Sequence, residues 1–338
     1  METAFAEILA GYGIVQPARI EPCGHAAWLV LAGDDMLVLR EIKRRSAKAD
    51  LSLRAIEHLL AQGFAGLPAW RRDAAGQLGV RAGHSTWLLS ELVDGHGALL
   101  GLESDALATA AALGSLHRAS AELNGDEMPE PLDMYHRYLS RCRDRIRSLR
   151  TYVLMAHNKL RRTAMDRGFL AAVETVLPQA EATLERLESS QWAELAEQSR
   201  KQGLFVYRRV GRNGVVLTNE PQPRAVFVDW GGCRRECHVT DVARLALRVI
   251  KGTGGDSALL GRVIAAYDRE RPMSAGEKSI LMLVLEFPDR LYQLAQRYYE
   301  HKRDWPENTF VRHLKRAMQE YQTQMACIQE HTEASRGG

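Results

Sequence analysis

The chain has 338 residues, 46% of them hydrophobic and 26% charged, with a formal net charge of +3 at pH 7. Those proportions exclude a disordered chain, and the total charge is too small to argue a polyanion partner. No run approaches the roughly 20 apolar residues of a bilayer-spanning helix, and the opening METAFAEILAGYG lacks a basic n-region and a clean apolar core, so a cytoplasmic protein without membrane contact is expected.

Two domains are expected, because single cores seldom grow past about 250–300 residues. Residues 26–31 and 36–40 are apolar runs separated by Gly33, Asp34 and Asp35, the pattern of a hairpin whose second strand closes at Arg40. Residues 51–62 carry apolar side chains at helical spacing and stop at Gly63. Glu57 in that helix either pairs with Arg40 or belongs to a solvated face. Residues 86–93 are another strand, ended by Asp94 and Gly95. From Asp105 onward the pattern is helical: residues 106–120, with His117 read as a core histidine, then 134–160 and 169–187, with a break around 165–168. Residues 239–250, 258–267, 275–286 and 290–301 are the remaining helices, and there is no internal repeat.

Residues 214–218 and 225–228 flank a turn containing Pro221 and Pro223, which is a hairpin signature, and Asp229 stands at its end. A strand end fixes a carboxylate's direction while the loop beyond leaves room for a ligand. Just before this hairpin Arg208, Arg209 and Arg212 crowd together, so an anion or a carboxylate such as Asp229 should lie among them. Basic runs at 40–48 and 141–162 are read as solvated faces. The five cysteines are odd in number and mostly far apart, as expected of reduced thiols; Cys233, Cys237 and His238 supply at most three zinc ligands with no second pair.

The segment GLFVYRRVGRNGVVLT, followed by AVFVDWGGC and HVTDVARLAL, resembles the catalytic region of the aminoglycoside phosphotransferase and choline kinase superfamily. The phrases LLAQGFAGLPAW, WLLSELVDG, LGSLHRAS, FLAAVETVLPQAEATLERLESSQW (read as a helix pair) and TDVARLAL are similar to its spore-coat, CotS-type branch. The resemblance implies an α+β, protein-kinase-like two-lobe fold. Residues 1–94 would form a small β-rich lobe and residues 95–330 a larger helical lobe, with the catalytic-loop hairpin around 203–230. It implies that ATP and Mg2+ are candidate cofactors, with Arg40 near the phosphates, Glu57 as its partner, Glu91 in the segment beside the adenine, and Asp229 as a metal ligand.

In that family a His-x-Asp motif is followed by an Asn. Aligned on Gly211, the His falls on Tyr207, the catalytic Asp on Arg209 and the metal-binding Asn on Gly214; aligned on Asn213, the Asn is kept and Arg208 takes the Asp position. Either way the proton acceptor is replaced by a permanent cation. The expectation is a pseudokinase with no working catalytic residues, a structural or scaffolding component of the bacterial spore coat, made in the mother-cell cytoplasm, with other coat proteins and a nucleotide or phosphate anion as partners and no nucleic acid. The alternative is an active ATP-dependent small-molecule phosphotransferase using Asp229 with Asp241. A third reading is a polyanion-binding module built on Arg208, Arg209 and Arg212.

Overall fold

A computed structural model describes residues 2–43, 46–123 and 134–337. Arg44 and Arg45 of the first basic run lie outside the described residues. The chain opens with helix α1 (Glu2–Gly11) and continues into an antiparallel sheet of β1 (Arg19–Gly24), β2 (Ala27–Ala32), β3 (Asp35–Lys43), β4 (Gly79–Ala82) and β5 (Ser85–Glu91), in the order β1-β2-β3-β5-β4. The β2–β3 turn is tight, pairing Ala32 with Asp35, with Gly33 at a φ of 61°. Phe5 of α1 packs edge-on against Trp87 and beside Trp28, so α1 covers the sheet face away from helix α2 (Ser46–Ala61).

The inner face of α2 is apolar, with Leu51, Ala55, Ile56 and Leu59 fully buried. Its one buried hydroxyl, Ser52, donates to the Trp230 carbonyl at 2.8 Å. That bond ties the helix of the first sheet to the turn that carries Asp229.

A three-stranded antiparallel sheet follows, made of β6 (Gly95–Gly97), β7 (Val215–Thr218) and β8 (Ala225–Phe227). The chain leaves the first sheet at Glu91 and joins the second at Gly95, so residues 92–94 are the crossing. The helices are α3 (Glu103–Ala119), α4 (Arg137–His157), α5 (Ala164–Glu188), α6 (Trp192–Lys201), α7 (Val239–Thr253), α8 (Ser257–Glu270), α9 (Ala275–Glu286), α10 (Asp289–Tyr299) and α11 (Glu307–Gly337). One large core joins α2, the second sheet and α3, α7, α8 and α9, while α4, α5, α10 and α11 close a second core around Phe169, Leu291 and Tyr299. Among the described residues no helix is long and apolar enough to cross a membrane.

The arrangement is α+β, an antiparallel sheet followed by a mainly helical part, as the resemblance implied. Two details differ from the sequence reading. The break placed at residues 165–168 lies earlier: Thr163 caps α5 through a reciprocal capping box with Asp166, so those residues are helical. The expected helix pair at 169–192 is a single α5 that runs through Pro178 before α6 begins. Proline's missing N–H costs the helix one bond, and its buried face offsets that loss.

Helix α3 rests on α8 through Gly114, where an added Cβ would lie 2.7 Å from the Tyr267 carbonyl oxygen. On an isolated helix Gly→Ala gains about 1 kcal/mol. Here the clash with backbone dominates, and Gly114→Ala is expected to destabilise the protein by about 1–3 kcal/mol, read as a lower denaturant midpoint with unchanged slope.

Candidate active site

The crossing segment forms one wall of a cavity of about 320 Å³ between the two sheets. Leu67, Leu92, Val93 and Val226 supply its apolar surfaces, and Asp94, Glu220 and Arg224 stand at its polar end. The backbone there is already partly engaged: Glu91 N–H donates to Ala69 and Leu92 N–H to Met36, each at 2.9 Å. The Glu91 carboxylate pairs with Arg71 at 3.1 Å, so it serves to close the cavity's edge.

Arg40 is half-buried on β3 and near enough to Tyr207 for its charge to be felt there. Glu57 is not its partner. Its carboxylate is held in two hydrogen bonds by Arg72, at 2.7 and 2.8 Å, on the outer side of α2. Of the two readings of Glu57, the solvated face is the one found: it pairs with Arg72, and Arg40 pairs with no carboxylate among the described residues.

The loop before β7 is built on Asp241, in the first turn of α7. Its fully buried carboxylate accepts the backbone N–H of Tyr207 at 2.6 Å and of Arg208 at 3.0 Å, and pairs with the Arg244 guanidinium at 2.9 Å. These bonds hold Arg208 at a φ of 68°, a left-handed conformation that non-glycine residues resist. Burial alone would raise the pKa of Asp241; His117 at 3.6 Å, Arg244 and the Arg208 N–H outweigh it and hold the pKa down at about 2. Asp241 is thus a structural pin turned away from the cleft, which removes it from the catalytic role considered for it with Asp229.

From this pin three neighbouring side chains diverge. Tyr207 is fully buried, donating its hydroxyl proton to the Gly214 carbonyl and accepting the Asp229 N–H at 2.8 Å, so it fastens both ends of the hairpin. Arg208 leaves on the far side toward Glu236, at 3.7 Å. Arg209 reaches into the cleft, where its Nε lies 3.6 Å from the Asp229 carboxylate. The expected single cluster of Arg208, Arg209 and Arg212 is not present, since Arg212 is exposed beside Gly97 and the other two point apart.

Asp229 caps the 3-10 turn Trp230–Gly232, accepting the Gly231 N–H at 3.1 Å. Among the described residues its one ion-pair partner is Arg209. Gly214, where the resemblance puts a second metal ligand, has no room for one: an added Cβ would lie 2.1 Å from the Arg209 carbonyl oxygen. Asn213 beside it is exposed. One carboxylate already paired with a guanidinium does not fit a magnesium pair, and no step through the metal follows from these residues. Among the described residues no group of three metal-ligating side chains occurs; Cys237 lies near the Tyr135 carbonyl and His238 hydrogen-bonds Arg271 at 2.7 Å.

No protein-family profile matches the chain. Its fold is similar to an aminoglycoside phosphotransferase from Alicyclobacillus acidocaldarius, at a TM-score of 0.82 and 20% identity over 98% of this chain and 95% of that one. The fold is that of the aminoglycoside phosphotransferases and choline kinases. It is also similar to spectinomycin phosphotransferase bound to ADP and spectinomycin, at 0.62 and 12% identity over 96% and 98%. The choline kinase of Streptococcus pneumoniae gives 0.51 and 12% over 96% and 99%. Within this phosphotransferase fold, the cavity by residues 91–94 lies at the crossing between the two parts, and the loop at 207–214 faces Asp229 across the cleft.

The role of Asp241 escaped the sequence reading. The signal was present: an acid in the first turn of α7 falls on the same face as Val242, Leu245 and Val249, and a carboxylate among apolar positions needs strong partners. The acidity of that group sets a pH dependence. A carboxylate held below its unfolded value of 3.8 stabilises the protein above that value, and the stability is lost as pH falls toward 2. Asp241→Asn is expected to lower unfolding free energy by about 2–4 kcal/mol at pH 7. The gap from wild type should narrow between pH 4 and 2, which denaturant melts across pH will read.

Proposed function

We propose that the chain is a pseudokinase: a phosphotransferase-fold protein that offers a nucleotide-sized cleft but does not transfer phosphate. The observation that carries this is the Arg209–Asp229 pair at 3.6 Å. Phosphoryl transfer needs an acceptor for the hydroxyl proton and metal-held phosphates. Arg209 stays protonated at physiological pH, cannot accept that proton, and occupies the carboxylate a metal would use. The cavity at residues 91–94 suits a purine in volume and apolar lining, and a neighbour of the same fold carries ADP. Arg40 offers a single cation to phosphates, without a carboxylate to brace it. The chain divides at Asp94 into lobes of residues 1–94 and 95–330 in this reading.

The resemblance to the CotS type supports a finer role: a structural or scaffolding component of the bacterial spore coat, made in the mother-cell cytoplasm, with other coat proteins as partners. An active small-molecule phosphotransferase remains the competing reading, favoured by the 0.82 TM-score across nearly the whole of both chains.

The deciding measurement is ATP-dependent transfer with magnesium to aminoglycosides, amino alcohols and coat proteins. Transfer should stay at background, and ATP should raise the melting temperature equally with magnesium or with EDTA. Turnover abolished by Asp229→Ala would overturn the proposal in favour of the phosphotransferase. Arg209→Asp alone should not create activity, because Gly214 still lacks space for a second ligand; Gly214→Asn should destabilise the fold by about 2–3 kcal/mol through its clash with the Arg209 carbonyl.

A further inference from the structure

Behind the loop, on the side to which Arg208 points, a second cavity of about 610 Å³ opens between α4, α7, α10 and α11. It shares no lining residue with the cavity at the crossing segment. Its lining carries seven cationic side chains, and among the described residues the carboxylates that these pair with number four.

Glu236 and Glu320 are each divided among several cations, while Asp289 serves Arg145. Buried Glu236 is shared by Arg141, by Arg208 at 3.7 Å and by Arg244 at 3.2 Å. Asp241 gives Arg244 one oxygen and spends its capacity on two backbone N–H groups. Glu320 is divided between Lys251 and Arg290, and also serves Arg316 outside the cavity. Arg248 pairs with no carboxylate among the described residues.

Two independent observations mark the excess of positive charge. The buried Nε atoms of Arg141 and Arg208 make no hydrogen bond, the latter lying 3.7 Å from the Glu236 carboxylate. Arg208 is pushed down to about 10 by burial first and by the neighbouring Arg244 next, and Arg248 is lowered by burial, Arg244 and Arg209. Buried donors without acceptors are costly, and guanidinium groups crowded without matching acids repel one another. An anion with several oxygens removes both costs at once.

We propose that this cavity is a binding site for a small molecule carrying two or more phosphate groups. Planar guanidinium forks match phosphate oxygens in paired hydrogen bonds, which favours phosphate over a lone carboxylate. The volume holds a molecule of sugar-phosphate or tripolyphosphate size and excludes a polymer, which decides against a nucleic acid or membrane surface. Tyr138, Leu247 and Phe287 give part of the wall an apolar surface for a carbon skeleton. The inference stands apart from the nucleotide cleft and holds whether or not phosphate is transferred there.

The test is titration calorimetry of the full chain with inorganic phosphate, pyrophosphate and tripolyphosphate, repeated at two salt concentrations. Affinity should rise with phosphate number and fall with salt. Arg248→Glu removes the unpaired cation while sparing those that hold Glu236, and should weaken tripolyphosphate binding about ten- to hundredfold. Adenosine binding at the crossing segment should be unchanged in the same variant. Arg145→Gln is the second variant, also expected to weaken tripolyphosphate, and a thermal melt of each checks that it is folded. Absence of binding, affinity independent of phosphate number, or binding lost in Arg40→Ala yet kept in both cavity variants would overturn the proposal.

Discussion

Everything distinctive about this chain depends on one buried carboxylate. Asp241 takes the N–H groups of Tyr207 and Arg208 and so fixes a backbone turn that would otherwise be unfavourable at Arg208. A left-handed non-glycine residue costs about 1–2 kcal/mol, and charge-assisted bonds to an ionised, fully buried acid are strong enough to hold it. Once that turn is set, the directions of residues 207, 208 and 209 are no longer free. One goes into the core, one to the cationic cavity, one to Asp229.

The loop before β7 is also part of the core. Tyr207 packs edge-on against Phe227 and Trp230, at centroid distances of 4.8 and 5.0 Å, and its hydroxyl binds both strands of the hairpin. A loop tied down only by exposed side chains could relax. This one is stitched into the main core by an aromatic ring, by Gly214 packed on the Arg209 carbonyl, and by Ser52 reaching from α2 to Trp230. The geometry of this loop is thereby held by packing as well as by hydrogen bonds.

How much of this could be read from the sequence follows from how local each signal is. The β2–β3 hairpin, β5 and helices α7 to α10 were legible because period and turn residues report on neighbours along the chain. Strand β6 is three residues of Gly, His and Gly, and β1 holds a proline and a glycine, so neither has a pattern to read. Helix α11 runs 31 residues with a mixed polar surface, which hides its buried stripe of Phe310, Leu314 and Ala317. In the site, the frame joining Arg209 to Asp229 was visible as spacing, while the distance between them came only with the fold. Glu57 stayed open between two readings for a simple reason: spacing placed it on α2, but only tertiary structure decides which face meets Arg72.

Charge shows the same limit most sharply. The whole chain carries a net charge of +3, an unremarkable total that by itself argues for no anionic partner. Yet the lining of one cavity gathers seven cations, from Arg141 to Arg290, and among the described residues these pair with four carboxylates. Along the sequence Arg141 and Arg145 read as a solvated helix face, because α4 mixes them with apolar positions. Folding turns that face toward Arg208, and burial then raises the cost of every unmatched charge. A total averages over the surface, whereas binding is decided by the local field where solvent is partly excluded. The same residues that make the chain look neutral in sum make this cavity positive in place.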